Sequence, residues 1–330
     1  MDDATERPPF TLHDIEQAAE RIAPFAVRTP LLDNPALNER VGRRVLIKPE
    51  LFQRMGSFKF RGAYNALASL PQVVRWRGVV AFSSGNHAQG VAAAARLFGV
   101  PAVIVMPADA PAAKIEATRA LGAEIRPYDR WSEDREAIGR ALSEERGATL
   151  IPPFDDLAVM AGQGTVGLEM AADAAALGVP LGDVLVPCSG GGLAAGTATA
   201  IKAKSPNTRV HAVEPEGFDD TARSLEAGHL CSNDPSARSI CDALMVAQPG
   251  ALTFAVNRHV LSDGLVVSDV DVMDAIAFAA RTLKLVVEPG GAVGLAALLS
   301  GRLPVGDGAV GLVLSGGNID PQILQAAFAR

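Results

Sequence analysis

Cysteine is scarce in this chain of 330 residues. Its three cysteines, Cys188, Cys231 and Cys241, are odd in number and form no C-x-x-C pair. That argues against a disulfide framework or a cysteine-built zinc site and fits a reducing compartment. An excess of positive charge is missing too. Thirty Lys and Arg face 37 Asp and Glu, for a net charge of −7. Phosphate backbones need a basic face, so no nucleic-acid partner is expected. No apolar run reaches membrane-spanning length. The start, Met1 to Pro9, is acidic and polar, without the apolar core of a signal peptide or an Arg-rich amphipathic pattern. A cytoplasmic protein that avoids membranes is the expectation.

What is present is a globular composition, 48% hydrophobic and 20% charged. The length suits one large domain or two unequal ones. Near-continuous apolar runs at 45–48, 79–82, 102–106, 183–187, 209–213 and 309–314 predict strands buried on both faces, hence a mainly parallel sheet. Helical patterns lie between them. Leu12, Ile15, Ala19 and Ile22 mark one face of the first, with Thr11 and Asp14 as its capping box. Residues 132–146 form a charged helix, with Ile138 and Leu142 at its apolar positions. A further helix, 270–285, follows the N-cap Ser268. The alternation predicts an α/β fold. Two lobes are expected, made by leaving one sheet and returning to it.

Lys59 sits in Ser57-Phe58-Lys59-Phe60-Arg61-Gly62-Ala63. Apolar neighbours disfavour an ammonium and lower its pKa, and a neutral amine can add to an aldehyde. The alternative is a surface lysine whose stem lies along apolar residues. Cys188-Ser189-Gly190-Gly191-Gly192-Leu193 follows a strand and opens an Ala-rich helix. Its backbone N–H groups are free to face an anion, with the helix dipole behind them. It lacks the Lys-Ser/Thr of a Walker loop and the ribose acid of a dinucleotide site, so a single phosphate monoester fits best. A tight packing turn is the alternative. Ser83-Ser84-Gly85-Asn86-His87-Ala88-Gln89 offers hydroxyls, an amide and N–H groups suited to a carboxylate; a plain N-cap and a structural histidine are the other reading. Leu314-Ser315-Gly316-Gly317-Asn318 is a third polar strand end. Ligands of open α/β sheets collect at such ends.

Together with Ala161-Gly162-Gln163-Gly164-Thr165, these segments resemble the serine/threonine dehydratase and serine racemase family. These are fold-type II pyridoxal-phosphate (PLP) enzymes related to the tryptophan synthase β chain. The resemblance runs from about Phe10 to Phe328. It implies two lobes, each a mainly parallel twisted sheet flanked by helices. Residues 1–55 and 156–330, with the Lys59 segment 56–77, would form the large cofactor-binding domain, and 78–155 a small mobile one. It implies that Lys59 captures PLP and moves the Cα proton, with Ser84 as acid/base on the other face. Phe58 would lie beside the ring and Asn86 at its 3-hydroxyl. Gly190, Gly191, Gly192 and Leu193 would hold the phosphate, and Ser315 would meet the pyridine nitrogen. Ser83, Ser84, Asn86, His87 and Gln89 would surround the substrate. A neutral Ser315 leaves the ring a weaker electron sink than an aspartate would, which favours β-elimination over transamination.

The racemase branch carries a divalent-cation site. Here the matching residues are Glu214, the Phe218 carbonyl and Asp220, an all-oxygen set suited to Mg2+ or Ca2+, with Mn2+ a further candidate. The alternative is that Asp219 or Asp220 caps the next helix. Arg135 matches an arginine that reaches a distal carboxylate, and Ser239 a substrate-side serine. Arg135 pointing inward would suit 3-hydroxyaspartate, against the alternative of a solvated helix face. Phe154 stands where the family pattern often places an asparagine, and Pro152-Pro153-Phe154-Asp155-Asp156 looks more like the dehydratases, a departure that speaks against a pure racemase. No segment matches the C-terminal regulatory domain of biosynthetic threonine dehydratase, so feedback through one is not expected. The implied activity is a PLP-dependent ammonia-lyase acting on L-serine or L-threonine, with 3-hydroxyaspartate dehydratase and serine racemase as alternatives. A non-catalytic amino-acid-binding protein is the remote one. Related enzymes are commonly homodimers.

Overall fold

A computed structural model describes residues 10–110 and 112–330. The acidic start, residues 1–9, lies outside the described residues. Among the described residues, ten strands form two sheets. In chain order they are β1 (Leu32–Asp33), β2 (Val45–Pro49), β3 (Val79–Phe82), β4 (Ala102–Pro107), β5 (Glu124–Tyr128), β6 (Thr149–Leu150), β7 (Leu181–Pro187), β8 (Arg209–Pro215), β9 (Asp263–Val267) and β10 (Ala309–Leu314). The larger sheet has the order β1-β2-β10-β7-β8-β9 and the smaller one β5-β4-β3-β6. Every pairing is parallel except β1 with β2. The chain therefore leaves the large sheet after β2 and rejoins it at β7.

Side-chain alternation explains why both sheet faces are covered. On β7, Leu185 points into one core with Val213, Ile276, Leu295 and Leu312. Its neighbours Val184 and Val186 point into the other, with Val166, Met170, Leu193 and Val313. In the small sheet Val79 and Ala81 face the helix Asn86–Phe98, while Val80 and Phe82 join Val103, Val105 and Tyr128 on the reverse side. Each fully buried Val, Leu or Ile contributes roughly 1.5–3 kcal/mol.

The six strands expected from apolar runs all form. The four that were missed, β1, β5, β6 and β9, are short or lie at sheet edges. Exposed Glu124, Arg126 and Pro127 give β5 a polar, proline-blunted edge that no apolar run announces. The first helix is Leu12–Ile22; it buries Ile15, Ala18 and Ile22, leaving Ala19 only half-buried. Thr11 donates its N–H to Asp14 at 2.8 Å, as the capping box requires. The charged helix begins at Arg135, after the N-cap Asp134, and not at Ser132. The helix after Ser268 is Asp269–Phe278, continued by a wider turn, Ala279–Leu283. Among the described residues, no helix is long and apolar enough to cross a membrane.

Parallel strands deliver all their following loops to one edge of a sheet. The segments after β2, β7 and β10 meet there, and the loop after β3 faces them from the small sheet.

Candidate active site

These loops enclose a cavity of about 580 Å³. Phe58, Lys59, Ser83, Ser84, Asn86, His87, Gln89, Arg135, Gly190, Gly191, Gly192, Leu193 and Ser315 all line it. Lys59 opens the helix Lys59–Ser69. Its Nζ donates to the Pro153 carbonyl at 2.7 Å and lies 5.1 Å from the centre of the Phe58 ring. Burial lowers its pKa from the usual 10.5 to about 8, against the pull of Glu288. The amine is thus far easier to deprotonate than one in water.

The helix that carries Lys59 is held from behind. Its Gly62 meets Gly162 of the helix Leu157–Ala176 so closely that a Cβ on Gly162 would lie 2.5 Å from the Arg61 carbonyl oxygen. Gly62 N–H donates to Gln163 Oε1 at 3.1 Å. The Ala-Gly-Gln-Gly-Thr motif is therefore a docking surface for the lysine helix. Arg61 is fully buried and bonds Glu50 and Glu169, both at 2.7 Å. Lys48 donates to Glu169 at 2.7 Å and to the Thr29 carbonyl at 2.6 Å. Two cations and two carboxylates thus form a balanced cluster beneath the lysine.

The glycine loop is shaped for an anion. Gly191 has φ 93°, a left-handed value that favours glycine. A Cβ on Gly190 would fall 2.3 Å from the Phe154 ring. The Gly190 carbonyl accepts from Gly250 N–H and Thr253 Oγ1, and that of Gly191 from Ala195 N–H and Asn257 Nδ2. With the carbonyls so occupied, the N–H groups of Ser189, Gly190 and Gly191 have no acceptor among the described residues. They stand at the start of the helix Gly192–Lys204. A tetrahedral dianion fits this donor set. The Pro-Pro-Phe-Asp-Asp run also finds its purpose. Pro153 receives Lys59, Phe154 covers the glycines, Asp155 caps the helix Ala251–Val260 and Asp156 caps Leu157–Ala176.

The facing loop comes from the small sheet. His87 is buried with Nε2 against the Ile151 carbonyl at 2.9 Å. Burial and the nearby Lys59 charge lower its pKa to about 3, so it is neutral. Its Nδ1 lacks a partner among the described residues. Ser84 is half-buried at the cavity wall. Asn86 donates to Glu288 Oε1 at 2.6 Å and accepts from Asn318 at 2.7 Å, so its amide links the small-sheet loop to the large-sheet loops. Glu288 was not anticipated. It is buried in the cavity wall, and burial pushes its pKa up to about 7. A lone acid between an apolar stretch and Pro289-Gly290-Gly291 was its only signal in the sequence.

An amine in an apolar nest, an anion cradle and a serine at the end of β10 thus share one cavity, as a PLP site requires. The profile described as pyridoxal-phosphate dependent enzyme matches residues 22–316. The chain belongs to that family. Its relatives fall in the serine/threonine dehydratase and serine racemase group. An L-threo-3-hydroxyaspartate ammonia-lyase from Pseudomonas sp is 46% identical, over 93% of this chain and 95% of the relative. The crystal structure of the T.th. threonine deaminase matches with a TM-score of 0.88 and 46% identity, covering 94% of this chain and 99% of that one. Maize serine racemase matches with a TM-score of 0.90 and 39% identity, over 97% of each chain. The two-lobed fold-type II architecture, with a mainly parallel sheet in each lobe, is that of this family.

The remaining expected site residues of this family member are placed at the rim of the cavity or away from it. Ser239 is not in its wall, and its hydroxyl donates to Asp269 at 2.6 Å. Arg135 is in the wall but exposed, its guanidinium 5.7 Å from the centre of the Phe82 ring. Glu214 and Asp220 lie behind the glycine loop, where Thr221 touches Cys188 at 3.4 Å. Glu214 accepts from Thr221 and Ala222 N–H at 3.0 and 2.8 Å, and so caps the helix Asp220–Ala227 from β8. Neither Asp219 nor Asp220 makes that cap with its side chain. Burial, with Asp220 adding to it, pushes Glu214 up to about 8, and burial pushes Asp220 up to about 6. Asp220 Oδ2 has no partner among the described residues. Phe218 is buried beside them. Among the described residues, no group of three or more His, Cys, Asp or Glu side chains converges on a metal position.

Proposed function

We propose that the chain is an ammonia-lyase that removes the hydroxyl of a β-hydroxy amino acid as water and releases a 2-oxo acid and ammonia. The observation that carries this reading is Lys59, whose amine is lowered to about 8 in the same cavity as the glycine cradle and Ser84. When bound, PLP supplies an electron sink that makes the substrate Cα–H acidic. Phe58, Asn86, Gly190, Gly191, Gly192, Leu193 and Ser315 would hold it. Lys59 would hold it through its amine and serve as the base that takes the substrate Cα proton. Ser83, Asn86, His87 and Gln89 would seat the substrate carboxylate, and neutral His87 adds no competing charge there. Ser84 would return a proton to Cα where racemisation accompanies elimination. The 78–155 unit would close over the substrate as a small mobile domain, with residues 1–77 and 156–330 as the base.

A dicarboxylic substrate such as 3-hydroxyaspartate is favoured over serine or threonine by one feature. Arg135 reaches the cavity and makes no salt bridge among the described residues. A relative at 46% identity is named for that substrate. Because Arg135 is exposed, its contribution is nearer about 1–2 kcal/mol than that of a desolvated pair. Glu214, the Phe218 carbonyl and Asp220 would bind Mg2+ or Ca2+, with Mn2+ as an alternative. Two buried, mutually repelling acids and the unpartnered Asp220 oxygen support a cation there. A homodimer in the cytoplasm completes the proposal, and sedimentation and cell fractionation test those points.

The decisive experiment is 2-oxo acid release from a panel of serine, threonine and the hydroxyaspartate diastereomers, with Lys59→Ala as control. Activity on at least one is expected, together with loss of visible cofactor absorbance in Lys59→Ala. A colourless wild-type protein in the presence of PLP would defeat the reading. Amino-acid racemisation without oxo-acid release would move it to the racemase alternative.

A further inference from the structure

The mouth of the cavity carries a second cation that the family motifs do not account for. Among the described residues, Lys59, Lys114 and Arg135 are the Lys and Arg side chains in the cavity wall. Lys59 is committed to the reaction centre. Lys114 lies in the first turn of the helix Ala112–Ala120, after β4, and Arg135 opens the helix Arg135–Arg146, after β5. Both cations therefore sit where a helix dipole disfavours positive charge. Two neighbouring helices breaking one local rule on the same cavity wall is the pattern of a functional position.

Lys114 already holds a carboxylate. Its Nζ lies 3.0 Å from Oδ2 of Asp242, which belongs to the opposite, large-sheet wall of the same cavity. The pair is open to water, with side-chain exposures of 31% and 60%. An ion pair so exposed contributes little. A substrate seated by its α-carboxylate in the Ser83–Gln89 loop presents its distal carboxylate at high effective concentration, which suffices to displace so weak a partner.

We infer that Lys114 is a specificity-determining residue that, with Arg135, receives the distal carboxylate of a dicarboxylic substrate, and that Asp242 competes for it. This rests on the dicarboxylic reading given above. Asp242 is then an internal rival that the distal carboxylate must displace from Lys114.

Calorimetry on the PLP-loaded protein tests this, with succinate as the dicarboxylate and propionate as its single-carboxylate counterpart. Both pair members are partly exposed, so folding is not at stake, and melting curves verify this. Wild type is expected to prefer succinate. Lys114→Gln should reduce the succinate-to-propionate affinity ratio by about three-fold or more, the scale of one exposed ion pair. Asp242→Asn should instead tighten succinate binding by about three-fold or more. An unchanged ratio in Lys114→Gln, with preference lost only in Arg135→Gln, overturns the inference and leaves the dicarboxylic reading intact. Weaker binding of both ligands in Asp242→Asn also overturns it, because the pair is then a latch between the walls. No preference in wild type defeats both.

Discussion

Two groups of buried charge lie under the cavity, and they are balanced differently. Beneath Lys59, two cations, Arg61 and Lys48, meet two carboxylates, Glu50 and Glu169. Behind the glycine loop, Glu214 accepts from backbone amides and Asp220 from Asn233, and the nearby Arg223 bonds Asp219 and Asn233 without forming an ion pair with either acid. Burial raises Glu169, Glu214 and Asp220 alike. In the first group Arg61 and Lys48 more than offset this, and Glu169 ends below its ordinary value. In the second the hydrogen-bond donors and the more distant Arg223 charge offset only part of it, and the acids end at about 8 and 6. A completed charge cluster fixes structure. An uncompleted one is short of positive charge, which is the electrostatic argument for a divalent cation.

The largest expected effect comes from breaking the balanced cluster. Arg61→Met leaves Glu50 and Glu169 short of their shared partner and should cost about 3–5 kcal/mol in urea unfolding. Adding Glu169→Gln should recover part of that loss. A test of the proposed cation at the other cluster comes next. Chelator should lower the melting temperature and Ca2+ or Mg2+ restore it, by up to about 2–3 kcal/mol at saturation; Asp220→Asn should abolish the dependence. Melting curves indifferent to chelator would make Glu214 a helix cap and nothing more. Gly162→Ala presses a methyl group on the Arg61 backbone and should cost about 1–3 kcal/mol, with kcat reduced because the Lys59 helix must shift.

Acid sharpens the comparison further. The pKa of Glu169 is lower folded than unfolded, so the stability it adds is present above the ordinary carboxylate range and lost as pH falls through the folded value. Stability against pH should therefore drop less steeply on the acid side in Arg61→Met than in wild type. The smallest effect is expected at the surface. Arg146 forks onto Glu124 with two bonds of 2.7 Å, yet both are exposed, and Arg146→Ala should cost about 1 kcal/mol or less.

Much of the site was readable because its chemistry is local. Lys59 between two phenylalanines, the glycine triplet after an apolar run and the serine at the end of the last strand each carry their meaning within a few residues. Glu288 does not. Its role depends on Asn86, 202 residues away, and nothing beside it in the chain marks it as buried. Ser239 shows the converse. Its neighbours match a substrate serine, yet Asp269, 30 residues on, takes its hydroxyl. The edge strands β5 and β9 escaped notice for a related reason, since an edge buries too little to need an apolar run.

By itself the sequence determined the strand runs and the loops that end them, because side-chain periodicity and glycine sterics act over short distances. Tertiary structure alone decided which charges meet. Arg61 finds Glu169 at a separation of 108 residues and Lys114 finds Asp242 at 128. Coulomb energy depends on distance and burial in space, and neither can be read from position along the chain.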